Sequence, residues 1–369
     1  MHNVTEPDKR ETKKHGKAAR RPSTLADVAR LAGVVPMTAS RAINGTGYVS
    51  EDVRKKVMQA AKALKYRPNV LARSLKGLST HAVGIMLPDI ANPFSAQLVA
   101  GIQEVLERSG YTAFLATANR SVEQEKAALR AFVDHRVDGI LVATRGTEIG
   151  NEAIAAIIRE GIPVVTVGRP IENAPVDCVT ADHWKGAYEA VTHLIELGHE
   201  RIGFIGVSPE HAANLRRFHG YEDALKAHGI ALRSELIAGP ANGPAYATED
   251  DGYAAMMQLG RLKQPPTAVF ARNDYTAIGA LRAAHELGFT IPDDIAIASF
   301  DNIPIAAFTT PPLTTVSQPI GEQGRRAAQF LIDRIEHRFK GQKRELCLEC
   351  HVVIRQSTGP HRKRSGGGK

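Results

Sequence analysis

Thr24-Leu25-Ala26-Asp27-Val28-Ala29-Arg30-Leu31-Ala32-Gly33-Val34-Val35-Pro36-Met37-Thr38-Ala39-Ser40-Arg41-Ala42-Ile43-Asn44-Gly45 reads as two short helices joined by a glycine turn. Thr24 is a good N-cap, and Asp27 three residues on can return the hydrogen bond, so a helix should begin at Leu25. Gly33 ends it. Leu25, Val28, Ala29 and Ala32 recur at helical spacing and bury one face, while Asp27 and Arg30 stay wet. After a three-residue turn, Pro36 suits the first position of a second helix through Ile43, which Asn44-Gly45 closes. Ser50 with Glu51 and Asp52 marks a third start, and Val53, Val57, Ala60, Ala61 and Leu64 give that helix an apolar stripe. A small all-α helix-turn-helix domain around one core follows.

Helix pairs joined by a glycine turn are common in purely structural bundles, so charge must decide what this one does. The 369 residues carry 47 Lys and Arg against 39 Asp and Glu, a net +8. Residues 1–80 hold 17 of the bases and 6 of the acids, whereas residues 81–369 hold 30 and 33. The basicity is therefore local to one end, which is the footprint of phosphate binding rather than of general solubility.

The ordered run Thr24-Leu25-Ala26-Asp27-Val28-Ala29, Ala32-Gly33-Val34, Thr38, Ser40-Arg41, Asn44, Val49-Ser50, Tyr66-Arg67-Pro68-Asn69 and Ala72-Arg73-Ser74-Leu75 resembles the DNA-binding head of LacI/GalR-type transcriptional regulators. The resemblance implies that Pro36, Met37 and Arg41 face base edges in the major groove. The Arg41 fork can take guanine O6 and N7 together, the alternative being a surface Arg held by phosphate or solvent. Thr38 and Ser40 are expected on phosphates, where they fix register. Thr24, Asn44 and Tyr48 complete the expected contacts. Two residues depart from the family pattern. Val35 stands where a capping Ser is usual, a loss of roughly 1 kcal/mol that Pro36 can offset by preorganising the first turn. Met37 replaces a residue that is often polar, exchanging a hydrogen bond for an apolar contact such as a thymine methyl.

The segment from Asn69 to Leu75 is too short for a stable isolated helix, so it should order only on DNA. By resemblance, two such hinges pair across a dimer and each presses Leu75 between central base steps in the minor groove, with Asn69 and Ala72 along its wall. Alternatively Leu75 is a linker residue touching the next domain. Residues 1–22 form a basic arm without an apolar run, expected to be disordered and not a signal peptide. The basic tail 359–369 reads the same way and has no leucine heptad.

From about His81 the pattern switches to short apolar runs alternating with helical segments, the signature of α/β structure with parallel sheets. Strands are expected at 82–87, 112–116, 139–143, 163–167, 202–207, 267–271, 295–299 and 346–354. Helices are expected at 94–109, 122–135, 186–197 and 276–287. This length exceeds one core, so two doubly wound lobes are expected, like periplasmic binding proteins, with a ligand cleft between them. The domains are then a head at 23–68, a hinge and linker at 69–80, and an effector-binding and dimerisation domain at 81–358. Its first lobe would hold about 81–181 and 318–344, its second about 182–317 and 345–358.

Polar residues after strand ends are the effector-site candidates. Asp89 and Phe94 follow the first strand, Arg145 the third, and Asn273-Asp274 and Asp301 two later ones; Arg217 sits ahead of His219-Gly220-Tyr221 at a helix start. The resemblance assigns effector contacts to Arg217, Asn273 and Asp301. Their chemistry suits a carbohydrate, with Asp301 accepting from neighbouring hydroxyls, Arg217 donating a fork, and Phe94 or Trp184 facing ring carbons. Asp274 is expected as a helix N-cap rather than a ligand, Asp89 either as a ligand or as a loop support, and Trp184 alternatively in the core or a subunit interface. Arg145 with Arg217 leaves an anionic sugar acid or sugar phosphate open.

No cofactor, metal or catalytic site is expected. Cys347 and Cys350 on one alternating strand would point to opposite faces and could not close a tetrahedral site. With Cys178 they are three cysteines without a framework, which suits a reducing cytoplasm; the expected location is cytoplasmic and nucleoid-associated. No apolar run reaches about 18 residues. The expected function is a sequence-specific DNA-binding transcriptional regulator of carbohydrate genes, a repressor that binds a pseudo-palindromic operator as a homodimer under control of a sugar, sugar acid or sugar phosphate. Two rival classes are an extracytoplasmic sugar-binding protein and a sugar-metabolising enzyme. The first predicts a signal peptide and no head, and the second needs a nucleophile or metal cluster that the sequence does not display.

Overall fold

The structure, a computed structural model, describes residues 23–66, 79–118, 121–143, 148–171, 174–207, 212–239 and 248–361. The arm 1–22, the hinge candidates Asn69, Ala72 and Leu75, Arg145 and the tail from Arg362 lie outside the described residues. The chain divides into two compact units between Ser79 and Thr80.

The first unit is three helices, α1 (Leu25–Ala32), α2 (Pro36–Asn44) and α3 (Glu51–Ala63). Asp27 N–H donates to Thr24 Oγ1 at 3.3 Å and Thr24 N–H donates to Asp27 Oδ2 at 3.0 Å, the reciprocal cap that the sequence calls for. Gly33 and Gly45 end α1 and α2 in the left-handed region, where a side chain would be strained. Val28, Ala29, Ala39, Ala42, Val57 and Ala60 are buried together, and such small residues let the helices approach closely. Ser23 Oγ donates to the Leu64 carbonyl at 2.9 Å and ties the start of the bundle to the end of α3.

In the second unit the order is β1 (Ala82–Leu87), α4 (Pro93–Arg108), β2 (Thr112–Thr117), α5 (Val122–Asp134), β3 (Gly139–Val142), α6 (Glu148–Arg159), β4 (Val164–Val167), β5 (Asp177–Ala181), α7 (His183–Glu196), β6 (Ile202–Ile205), α8 (Ala212–Ala227), β7 (Ile237–Ala238), α9 (Glu249–Gly260), β8 (Ala268–Ala271), α10 (Asp274–Glu286), β9 (Ala296–Asp301), β10 (Thr314–Ser317), α11 (Ile320–Ile335), β11 (Glu345–Leu348) and β12 (His351–Val353). These strands make two six-stranded sheets of matching order, β11-β5-β4-β3-β1-β2 and β12-β10-β9-β8-β6-β7. All pairings are parallel except β12 on β10. Buried apolar strands with helices on both faces are what parallel sheets require. The chain passes between lobes at 181–183, 317–320 and 348–351.

Several expectations need correction. The strand expected over 346–354 is two strands in different sheets, since β11 pairs with β5 and β12 with β10. Residues 345–348 therefore belong to the first lobe, and the last lobe boundary falls after 348 rather than at 344. Cys347 is exposed and Cys350 buried because the chain changes lobe between them, not because one strand alternates. Strands β5, β7 and β10 were not expected. β5 opens on Asp177 and β10 reads Thr-Thr-Val-Ser, so polar residues disguise both; β7 is two residues long.

The β5 acid is neutralised inside the first lobe. Asp177, 1% exposed, accepts from Arg334 Nη2 and from Arg344 Nη2, each at 2.7 Å. Burial pushes its carboxyl up, but hydrogen bonds from Arg334 and Arg344 more than offset this and hold it below the ordinary carboxylate range. In the second lobe, α9 and α10 meet through glycines. A Cβ at Gly252 would collide with the Thr276 carbonyl, and one at Gly279 with the Glu249 carbonyl.

Candidate DNA-reading face and effector site

On the head, α2 turns its small residues inward and its recognition candidates outward. Ala39 and Ala42 are buried, whereas Pro36 and Arg41 are exposed, Met37 is 64% exposed and Tyr48 94%. Single exposed apolar residues are ordinary on a protein surface; what sets this face apart is that Met37 and Tyr48 share it with the exposed Arg41 on a basic unit. Thr38, Ser40 and Asn44 are half-buried, and Asn44 Nδ2 donates to Ser40 Oγ at 3.3 Å. Thr24 is engaged in the α1 cap. Val35 precedes α2 without a side-chain cap bond, with Pro36 at the first helical position, as its residue types dictate.

The effector candidates divide between the lobes. Asn92 caps α4, its Oδ1 accepting from Phe94 N–H at 2.9 Å, and Phe94 packs on the first-lobe core. Asp89 Oδ1 accepts from Ala91 N–H at 2.9 Å, a loop-holding bond. Its charge also reaches the other lobe, where burial first, then Glu249 and Asp89, raise the Tyr275 phenol above its ordinary value.

Arg217 is not at a helix start but lies within α8, one turn and a half from Ala212. It is buried. Its Nε donates to His183 Nδ1 at 3.3 Å, one terminal nitrogen donates to the Arg272 carbonyl, and the other reaches Asp301 Oδ1 at 2.9 Å. The guanidinium carbon sits 3.8 Å from the Phe300 ring centroid. Asp301 Oδ1 also accepts from Gln318 Nε2 at 2.7 Å, and Gln318 Oε1 accepts from Gln323 Nε2 at 3.2 Å. Gln318 lies on a lobe crossover and Gln323 on α11 of the first lobe, so the network joins both lobes. Asp301 has φ of +112°, a backbone conformation costing about 1–3 kcal/mol that packing must hold in place.

Asn273, not Asp274, caps α10. Asn273 Oδ1 accepts from Thr276 N–H at 3.1 Å, leaving its amide nitrogen for other partners. Asp274 points into the protein because it is already inside the helix. It accepts from Ser299 Oγ at 2.5 Å, Thr315 Oγ1 at 2.6 Å and Ile303 N–H at 2.7 Å. Burial, then the neighbouring Asp301, push its carboxyl up to about 7 against those three donors. Trp184 turns away from this network: Nε1 donates to Asp223 Oδ2 at 2.8 Å, and the indole stacks on Tyr188 at 5.2 Å.

A cavity of about 420 Å³ opens beside His183, walled by Gly168, Arg169, Cys178 and Leu346 of the first lobe and by Ala213 and Arg216 of the second. That volume suits a small ligand. His183, Gln318, Arg169 and Arg216 are site residues that sequence reasoning missed. Recognising β10 would have exposed Gln318, the first residue beyond its end; the others carry no local signal.

Comparison with known proteins agrees with this geometry. Residues 24–69 match the model of bacterial regulatory proteins of the lacI family, and residues 191–358 match a periplasmic binding protein-like domain. The chain is 33% identical over 337 residues to the HTH-type transcriptional repressor PurR of Mannheimia succiniciproducens, covering 91% of this chain and 98% of that protein. Among solved structures, a complex of the transcriptional regulator CelR with cellobiose is 33% identical with a TM-score of 0.69, covering 91% of this chain and 99% of that one. A lac repressor dimer bound to operator and the anti-inducer ONPF is 26% identical with a TM-score of 0.80, covering 92% and 100%.

Proposed function

The chain belongs to the LacI family of bacterial regulatory proteins, and from that membership we propose that it is a repressor of carbohydrate genes whose grip on a pseudo-palindromic operator is set by a small sugar-type effector between its lobes. As a member it is a DNA-binding transcriptional regulator that works as a homodimer. Two copies of the head meet the two halves of the operator, with Arg41, Met37, Pro36 and Tyr48 towards the DNA and Thr38, Ser40, Asn44 and Thr24 towards its backbone. Asn69, Ala72 and Leu75 order as hinges on that DNA. The protein acts in the cytoplasm, on the nucleoid.

The observation that carries the effector reading is the buried Arg217–Asp301 pair. Three of the five Arg217 N–H groups are used within the protein, which leaves one on each terminal nitrogen. Among the described residues no donor reaches Asp301 Oδ2. Donors and an acceptor side by side are what adjacent sugar hydroxyls require, and Asn273 adds an amide donor. Asp89 and Phe94 would supply the opposite wall, while Trp184 is turned elsewhere. A ligand drawing on Asp301 also loads Gln318 and Gln323, and thereby favours one relative setting of the lobes.

Fluorescence anisotropy on operator fragments enriched by selection, with and without neutral pentoses, hexoses and their acids, tests this. The expected result is one sugar class that shifts operator affinity at least tenfold and fails to do so in Arg217→Lys. An unshifted affinity with every sugar, alongside a shift by nucleosides, would overturn the carbohydrate reading.

A further inference from the structure

We infer that the effector of this chain is anionic, a sugar carboxylate or phosphate ester held between Arg169 of the first lobe and Arg216 of the second; this rests on reading the cleft as the effector site. The Arg217 charge is answered by Asp301 at 2.9 Å, so that pair recognises hydroxyls and contributes no net charge. Beyond it, the 420 Å³ cavity is lined by two further guanidiniums and two acids, Asp182 and Glu345. Each acid has cationic company outside the cavity: Asp182 Oδ1 caps α7 by accepting from Lys185 N–H at 3.0 Å and its charge acts on the Lys185 ammonium, and Glu345 pairs with Lys343 at 2.7 Å.

Arg169, half-buried on the loop after β4, donates from Nη2 to the neutral amide oxygen of Asn151 at 2.7 Å. Burial lowers its pKa, with Glu125 and Cys178 acting in the opposite sense, and no ion pair holds it among the described residues. Arg216, exposed on α8 next to Arg217, has no ion pair among the described residues. Two cations facing one cavity from opposite lobes repel until an anion lies between them. Such a group would bind bidentately to either fork and pull the lobes together, converting its charge into closure. His183, which accepts from Arg217 Nε, stands on the cavity wall between the hydroxyl-reading pair and the two cations.

Calorimetric titration of the full chain with matched probes tests the inference: glucose, gluconate and glucose 6-phosphate, and ribose, ribonate and ribose 5-phosphate. The expected result is an acid or phosphate that binds at least tenfold more tightly than its neutral parent, with the carboxylate and phosphate arms identifying which group is read. Arg169→Gln and Arg216→Gln should each weaken that probe at least tenfold and leave the parent sugar unchanged. Arg216 is exposed, so its variant reports even where Arg169→Gln disturbs folding. Equal binding of neutral and anionic probes, or wild-type affinity in the Arg216 variant, overturns the anion site while the effector cleft stands. Binding by none of the six overturns the anion site too, and operator release by a neutral ligand outside the set would show the cleft reading surviving it.

Discussion

The two lobes repeat one strand order, and each buries an aspartate, Asp177 at the start of β5 and Asp274 at the start of α10, yet the two acids are treated oppositely. Asp177 is ringed by the guanidiniums of Arg334 and Arg344 and is held ionised. Asp274, fully buried, has only two hydroxyls and a backbone N–H, and its carboxyl rises to about 7. Both carboxyls are closed to solvent, but Asp274 lies deeper and beside Asp301, and its neutral dipoles repay desolvation only in part, whereas full cations repay it for Asp177. The first lobe uses its acid to lock the loop after α11; the second keeps its acid near neutrality, one residue from Asn273 and coupled to Asp301.

Substitution should separate them most. Asp177→Asn leaves two half-buried arginines without their counter-ion and should cost about 3 kcal/mol in urea unfolding, whereas Asp274→Asn, whose hydroxyl partners can turn to accept, should cost under about 1 kcal/mol. Equal losses would erase the contrast. The head offers an exposed cation with no ion pair among the described residues: Arg41→Ala should weaken operator binding by about 1–3 kcal/mol with an unchanged melting temperature. A drop in melting temperature would show that Arg41 supports the fold instead.

Acidity sharpens the same comparison. Asp177, depressed in the fold, stabilises above its ordinary value of 3.8, and that contribution disappears as pH falls through the folded value. Asp274, raised in the fold, does the reverse: the folded state retains its proton longer, so stability declines as pH climbs from 3.8 to about 7. Burial lowers the His199 pKa below 6.5, so its neutral ring, bonded to Thr267 Oγ1 and the Gly359 carbonyl, loses stability as pH falls below that value. Asp274→Asn should therefore make stability rise more steeply with pH between 4 and 7 than wild type does, and superimposable profiles would refute the shift. The smallest effect belongs to the head, where Val35→Ser should restore a cap and raise stability by about 1 kcal/mol in thermal unfolding.

Local signals were legible. Thr24, Gly33, Pro36 and Gly45 punctuate the head within a few residues of what they control, so its helices follow from the sequence nearly to the residue. Continuous apolar runs such as Ala82–Leu87 likewise announce buried strands. What was lost depends on distant partners. β5 and β10 begin with buried polar residues satisfied by partners far off in the chain, Asp177 by Arg334 and Arg344, Thr314 by Arg355 and Thr358, and Thr315 by Asp274. The site shows the same division. Arg217 and Asp301 were reached by resemblance, but their direct pairing joins residues 84 apart, and the burial of Asp274 depends on Ser299 and Thr315.

The crossover at 317–320 has a further consequence for how the protein is made. Helix α11 lays Ile320, Ala327, Ala328, Leu331 and Ile332 into the first-lobe core, yet it is synthesised only after nearly all of the second lobe. The head needs no more than residues 23–66 for its own core, so it can fold as soon as it clears the ribosome. The first lobe must wait for the last helix of its core, with α4 alone on that face, until the ribosome has passed residue 335. A message cut short between these points yields a finished head on an incomplete first lobe, a product for the cell's proteases rather than for an effector to control.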